Sequence, residues 1–202
     1  MLNVPKITKE THDGIAVIDV DSLELDERII TISGEVTMES AVNFRMAFSY
    51  LEKRSSDPVT VFISSPGGSV NAGLMIYDLI VGSRVPVATV CLGEAASIAA
   101  VILAAGHKGM RCILPHSTVM IHEPLIPEGV GGSASEFNRV AEKLNKTRLL
   151  MAKLLAERTG KTEEEMLEAI SYDHFMNAEE SLAFGMIDRV INNPAEVLTE
   201  TV

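Results

Sequence analysis

Apolar positions along the chain fall into short β-branched runs separated by longer stretches with helical spacing. GIAVIDV (14–20) and RIITISGEV (28–36) read as strands. In ESAVNFRMAFSYLEKR (39–54), Val42, Met46 and Tyr50 recur every four residues, which predicts a helix with those three on its apolar face. The pattern then repeats: a strand VTVFI (59–63), a loop SSPGG (64–68) and a helix to about Ser83. After it come a strand VPVATVCL (85–92), a turn GEA (93–95), a helix SIAAVILAAG (97–106), and the strands MRCILP (110–115) and STVMIH (117–122). Near-continuous apolar strands alternating with helices point to an α/β fold whose parallel sheet is covered on both faces.

The C-terminal part changes character. In SASEFNRVAEKLNKTRLLMAKLLAERTG (133–160), Phe137, Val140, Ala141, Leu144, Met151, Leu154 and Leu155 keep a helical spacing over many turns. Ser133 with Glu136 makes a capping box and Gly160 a stop, so this is one long helix. Thr162 with Glu165 opens a second helix, and AEESLAF (178–184) a third that ends at Gly185 before the strand-like MIDRVI. Two placements of the long helix fit equally: projection from the body toward another subunit, or packing along the sheet.

Composition narrows the partners. The 202 residues, 47% of them hydrophobic, suit one domain with a sizeable core. A formal charge of −11 argues against nucleic acid and anionic membrane as partners, since no basic stripe exists to displace counterions. Cys91 and Cys112 sit inside apolar runs, as free cysteines do in a reducing compartment. The first thirty residues carry charges throughout, and no stretch approaches ~18 uninterrupted apolar residues, so a cytoplasmic protein is expected. No His/Cys/Asp cluster has metal-ligand spacing, and no cofactor is expected.

Three places carry candidate chemistry. In SSPGGS, Pro66 has a fixed φ while Gly67 and Gly68 are unrestricted, so peptide N–H groups there can converge on an anion; a tight strand-to-helix turn explains the same residues. Ser97 opens a helix among alanines, which suits an accessible nucleophile and equally an ordinary N-cap. The glycine four residues before it is not the G-x-S-x-G spacing of the hydrolase elbow. His122 ends a strand, where α/β sites form, and is a candidate base or a backbone-bonded residue. Asp173 in ISYDHF lies in a segment apolar enough to be partly buried, which would let it orient a histidine.

In this order, FISSPGGSVNAGLMIYDLI (62–80), CLGEAASIAAVILAAGHKGMRCILPHSTVMIHEPL (91–125) and SYDHFMNAEESLAFGMIDRVI (171–191) resemble the proteolytic subunits of the Clp protease family, from about Asp26 to Asn193. These are serine endopeptidases with a crotonase-like α/β fold, parallel sheet layers and a long projecting handle helix. The resemblance implies Ser97 as nucleophile, His122 as base and Asp173 as its orienting carboxylate, with the N–H groups of Gly68 and Ile98 as the oxyanion hole. It divides the single domain into an N-terminal axial segment (1–25), a head (26–123 and 161–193) and a handle (124–160). Peptide would lie along Gly129, Val130, Gly131 and Gly132 by strand addition.

The resemblance also implies two stacked heptameric rings and an AAA+ Clp unfoldase that delivers unfolded protein to an ATP-independent peptidase. The unfoldase-docking positions match Thr60, Phe62, Gly82, Val90 and Cys112, of which Phe62 alone is aromatic, so docking is expected to be weak. LIPEGVGG (125–132) departs from the family's usual loop, and Tyr172 stands where an arginine that senses ring stacking is common. The alternatives are a catalytically weak or regulatory ring subunit that partners an active paralogue and, third, a crotonase-fold acyl-CoA enzyme.

Overall fold

The computed structural model describes residues 6–199 except 13, 127, 128 and 130. A hairpin of β1 (Ile7–Thr11) and β2 (Gly14–Ile18) precedes a short helix α1 (Val20–Asp26), capped by the Asp19 carboxylate. Neither β1 nor α1 is legible in the apolar pattern, because both are short and rich in charge.

The body is a sheet in the order β3 (Ile29–Ser33), β4 (Val59–Ser65), β5 (Val87–Ala96), β6 (Arg111–Ile113), β9 (Arg189–Val190), all parallel. The strand β5 bends at Gly93, where φ is 81°. Its first half pairs with β6, and its second half, Glu94–Ala96, pairs with β7 (Thr118–Ile121). An antiparallel strand β8 (His174–Met176) then adds to β7. The bend therefore splits the sheet into two layers, and the end of β5 enters the second layer beside the end of β7.

Helices α2 (Met38–Arg54), α3 (Val70–Val81) and α4 (Ile98–Ala104) cover the face that carries Val59, Val61 and Ile63, and every residue of α4 is buried. The other face carries Ile29, Phe62, Val90 and Cys112 and packs against Val197 and Leu198 of α8 (Ala195–Thr199). The face expected of α2 is corrected. Ala41, Phe44, Phe48 and Leu51 are buried, while Val42, Met46 and Tyr50 form an exposed stripe. Both sets fit a 3.6-residue period, so spacing alone could not choose between them.

The long helix α5 (Ala134–Thr159) begins at the Ser133–Glu136 capping box and stops at Gly160 in the left-handed conformation. Its buried residues, Met151, Ala152, Leu155 and Ala156, all lie in its last third, so the helix projects from the body. Helices α6 (Glu163–Ala169) and α7 (Ala178–Phe184) each start with a capping box and lead to β8 and β9. The two ends are tied by Arg111 of β6. Its guanidinium donates to both carboxylate oxygens of Asp188 and to the carbonyls of Arg158 and Gly185.

Candidate active site

The site forms where the second layer of the sheet meets the start of α4. β5 ends at Ala96, α4 begins at Ile98, and Ser97 makes the corner with φ 56° and ψ −124°. A non-glycine residue in that region stores strain of about 1–3 kcal/mol. The corner is held from behind by the Ser97 N–H, which donates to the Met120 carbonyl at 2.8 Å. Although the G-x-S-x-G spacing is missing, the geometry is that of a sharp strand–nucleophile–helix turn. Sequence spacing missed it because the room comes from Gly67, a residue thirty positions away in the chain. A Cβ built on Gly67 would stand 2.7 Å from the Ser97 Cβ and 2.8 Å from the Ala96 carbonyl.

Ser97 occupies the N-cap position of α4, yet its side chain makes no capping bond. Its Oγ lies instead 2.8 Å from Nε2 of His122. A serine hydroxyl that forgoes its cap and lies within hydrogen-bond reach of an imidazole has the geometry of a nucleophile–base pair. His122 follows directly on β7, and the parallel register of β5 with β7 (Ala96 opposite Met120) brings the two strand ends together.

Asp173 arrives by the same logic. β7 and β8 pair Val119 with Met176, Met120 with Phe175 and Ile121 with His174, and one further step sets His122 opposite Asp173. The Asp173 carboxylate is 3.7 Å from His122 Nδ1, beyond hydrogen-bond length, and its side chain is 66% exposed. The expectation of partial burial is corrected: Tyr172 and Phe175, which suggested it, are themselves exposed at the rim of the sheet.

Gly67 and Gly68 have φ values of 98° and 146°, which explains why both positions are glycine. The loop is latched to Val36, whose N–H donates to the Gly67 carbonyl and whose carbonyl accepts from the Ser69 N–H. Val36 and Gly68 thus form a parallel bridge, in which the N–H of Gly68 points away from Val36. The Gly67 N–H is taken by the buried Ser65 Oγ at 3.1 Å. The N–H groups of Gly68 and Ile98 donate to no other group among the described residues. Cys91 is no competing nucleophile, since burial pushes its thiol up to about 12.

The Clp protease family model matches residues 12–194. Two curated relatives, each named ATP-dependent Clp protease proteolytic subunit 2, come from Chlamydia trachomatis serovars D and A. Each is 37% identical over 204 residues, covering 100% of this chain and 99% of the relative. The chain belongs to the Clp protease family. It is a serine peptidase of the Clp type, and the acyl-CoA enzyme reading on a similar fold is set aside.

Other positions carried over from the Clp protease family fare differently. Thr60, Phe62, Val90 and Cys112 lie buried on the face of the sheet that α8 covers. Leaving Phe62 and Val90 bare would expose an apolar sheet face, and Val197 and Leu198 close it. Gly82 is exposed at the C-cap of α3, which packs on the opposite face. Gly129, Gly131 and Gly132 are exposed and form no strand, and Val130 lies outside the described residues. Ala134 and Ser135 already belong to α5. No helix among the described residues is long and apolar enough to cross a membrane, and no group of three or more metal-ligating side chains occurs among them.

Proposed function

We propose that Ser97, His122 and Asp173 carry out peptide hydrolysis in this Clp protease family member through an acyl-enzyme. The observation that carries the reading is the Ser97 Oγ to His122 Nε2 distance of 2.8 Å in a serine that forgoes its capping bond. His122 takes the hydroxyl proton as Oγ attacks the scissile carbonyl. The same proton goes to the leaving amine as the C–N bond breaks. A water deprotonated by His122 then attacks the ester and releases the carboxylate product with Ser97 restored. Asp173, opposite Nδ1, holds the ring so that Nε2 faces Ser97. The N–H groups of Gly68 and Ile98 receive the tetrahedral oxygen.

Treatment of the full chain with a fluorophosphonate tests this. Covalent labelling at Ser97, detected by peptide mass spectrometry and lost on prior reaction with a peptide-aldehyde inhibitor, is the expected result. An unlabelled Ser97 in a preparation that hydrolyses peptides would remove it from the mechanism.

Gly68→Ala probes the oxyanion hole separately. A Cβ there would stand 2.5 Å from the Val36 carbonyl and 2.9 Å from the Val36 nitrogen, so the peptide must rotate or move. One such donor is worth roughly 10²–10³ in rate, and kcat should fall by that order with KM little changed. A higher KM at unchanged kcat would mean that the loop binds peptide rather than stabilising charge.

The assembly reading belongs to the same proposal: two stacked heptameric rings enclose the sites, and an AAA+ Clp unfoldase feeds unfolded protein to them. Its support is the exposed stripe of Val42, Met46 and Tyr50 on α2 and the projecting α5 with Phe137, Leu149 and Leu150 exposed. Closure of the sheet face by α8 supports weak docking. The homomer with a Clp unfoldase is therefore expected to degrade a tagged folded substrate poorly, and rapid ATP-dependent degradation in that assay would refute weak docking without touching the triad.

A further inference from the structure

The Asp173 carboxylate faces His122 without reaching it, and the two residues beside it in sequence are rings. Side chains of an extended segment alternate, so His174, the first residue of β8, leaves the backbone on the face opposite to Asp173, and the ring of Tyr172 from the preceding bend meets it. There the two rings stack, with centroids 5.6 Å apart and planes at 27°. The other side of His174 meets Phe184 of α7 edge-on, at 5.3 Å and 88°. The Phe184 ring in turn carries the Lys161 ammonium, with Nζ 4.4 Å from its centroid. Four side chains from three segments thus form one continuous stack behind the aspartate.

The imidazole of His174 is used here as a ring and not as a polar group. Its Nδ1 is buried and has no hydrogen-bond partner. A buried nitrogen without a partner costs stability, and a carbocyclic ring of similar shape would remove that cost while keeping the stack. The carboxylate on the other face is 66% exposed and its contact with His122 is 3.7 Å long. A shift of about 1 Å separates that distance from hydrogen-bond length. The orientation of the backbone at residue 173 bears on that gap, and the stacked rings of Tyr172 and His174 flank it in sequence.

We propose that His174 is a positioning residue for peptide hydrolysis: clamped between Tyr172 and Phe184, its ring fixes the backbone that aims Asp173 at His122. The inference rests on Asp173 being the carboxylate that orients His122, as proposed above.

The test is a double-mutant cycle on the full chain, read as kcat and KM for a fluorogenic peptide and as the rate of fluorophosphonate labelling of Ser97. His174→Ala should lower kcat about tenfold with KM unchanged and slow labelling in proportion, because the defect lies in aiming the base. Placed on top of Asp173→Asn, the same substitution should add less than a twofold loss, since a group that acts through Asp173 has nothing left to position. His174→Phe should keep kcat within about twofold of the parent and melt no lower, because it retains the ring and removes the unpaired nitrogen. Should His174→Ala fail to fold, Tyr172→Ala removes the exposed half of the stack and should show the same non-additivity with Asp173→Asn. An equal loss in both backgrounds, an effect on KM alone, or a His174→Phe variant as impaired as His174→Ala would overturn the proposal. Parental kcat in Asp173→Asn by itself would instead overturn the role given to Asp173.

Discussion

Ser97→Ala is expected to lower kcat for short peptides by roughly 10⁴–10⁶ while leaving folding and assembly as in the parent. The hydroxyl is the only group removed. Its hydrogen bond to His122 is the only polar contact it makes among the described residues, and the corner is held by the Ser97 N–H to the Met120 carbonyl, which alanine preserves. His122→Ala should cost a comparable factor, and the double variant little more, because the pair acts as a unit. A companion substitution separates chemistry from strain. Alanine at 97 inherits φ 56° and ψ −124°, whereas Ser97→Gly relieves them. The glycine variant should therefore be inactive yet unfold at a higher temperature than the alanine variant, by about 1 kcal/mol in stability. Equal melting temperatures for the two would show that the corner is not strained.

Arg111→Ala is expected to be the most destabilising single change outside the apolar core, at about 3–5 kcal/mol. For a chain of this length that corresponds to a fall in Tm of about 6–20 °C. Arg111 is 6% exposed and its partner Asp188 16%, with a closest approach of 2.6 Å. Removing the guanidinium leaves that carboxylate half-paired and strips a donor from the carbonyls that end α5 and α7, Arg158 and Gly185. Helix α5 would keep its apolar contacts through Met151, Ala152, Leu155 and Ala156 but lose the polar tie at its C-terminal end, so lower stability of the isolated subunit should appear with a loosened assembly.

The same pair makes a pH prediction. Burial pushes the Asp188 carboxyl up, but hydrogen bonds from the Arg111 side chain and backbone N–H, the nearby guanidinium charge and the Gly109 N–H outweigh it, so the group is held below its ordinary value of 3.8. A carboxyl depressed in the folded state contributes stability above its unfolded pKa and loses that contribution as pH falls through the folded one. The stability gap between parent and Arg111→Ala should thus be full near neutral pH and shrink below pH ~4. Urea denaturation at both pH values measures it, and a gap that widens in acid would contradict the assignment.

Much of the site was legible because its residues sit at element boundaries, which sequence marks well. Ser97 follows an apolar run and opens an alanine-rich helix, His122 closes another run, and Pro66 with two glycines interrupts a third. Asp173 was legible by place but not by environment. Its aromatic neighbours Tyr172 and Phe175 suggested burial, whereas both are exposed and so is the carboxylate. The roles of Gly67 and Val36 were not legible, since each depends on a contact between segments separated by thirty or more positions.

Periodicity by itself determined that this chain alternates apolar strands with helices, that a capped helix runs from Ser133 to Gly160, and that Ser97 and His122 stand at strand ends. These are local properties: they follow from side-chain period, capping and backbone freedom within a few residues. Tertiary structure alone decided which stripe of α2 is buried, since Ala41–Phe44–Phe48–Leu51 and Val42–Met46–Tyr50 satisfy the same period. It also decided that α8 closes the sheet face of Phe62, Val90 and Cys112, that Arg111 and Asp188 find each other across 77 positions, and that Ser97 gives up its cap for His122. Each of these is a choice between partners distant in sequence, and such choices are made by packing and register, which no local pattern contains.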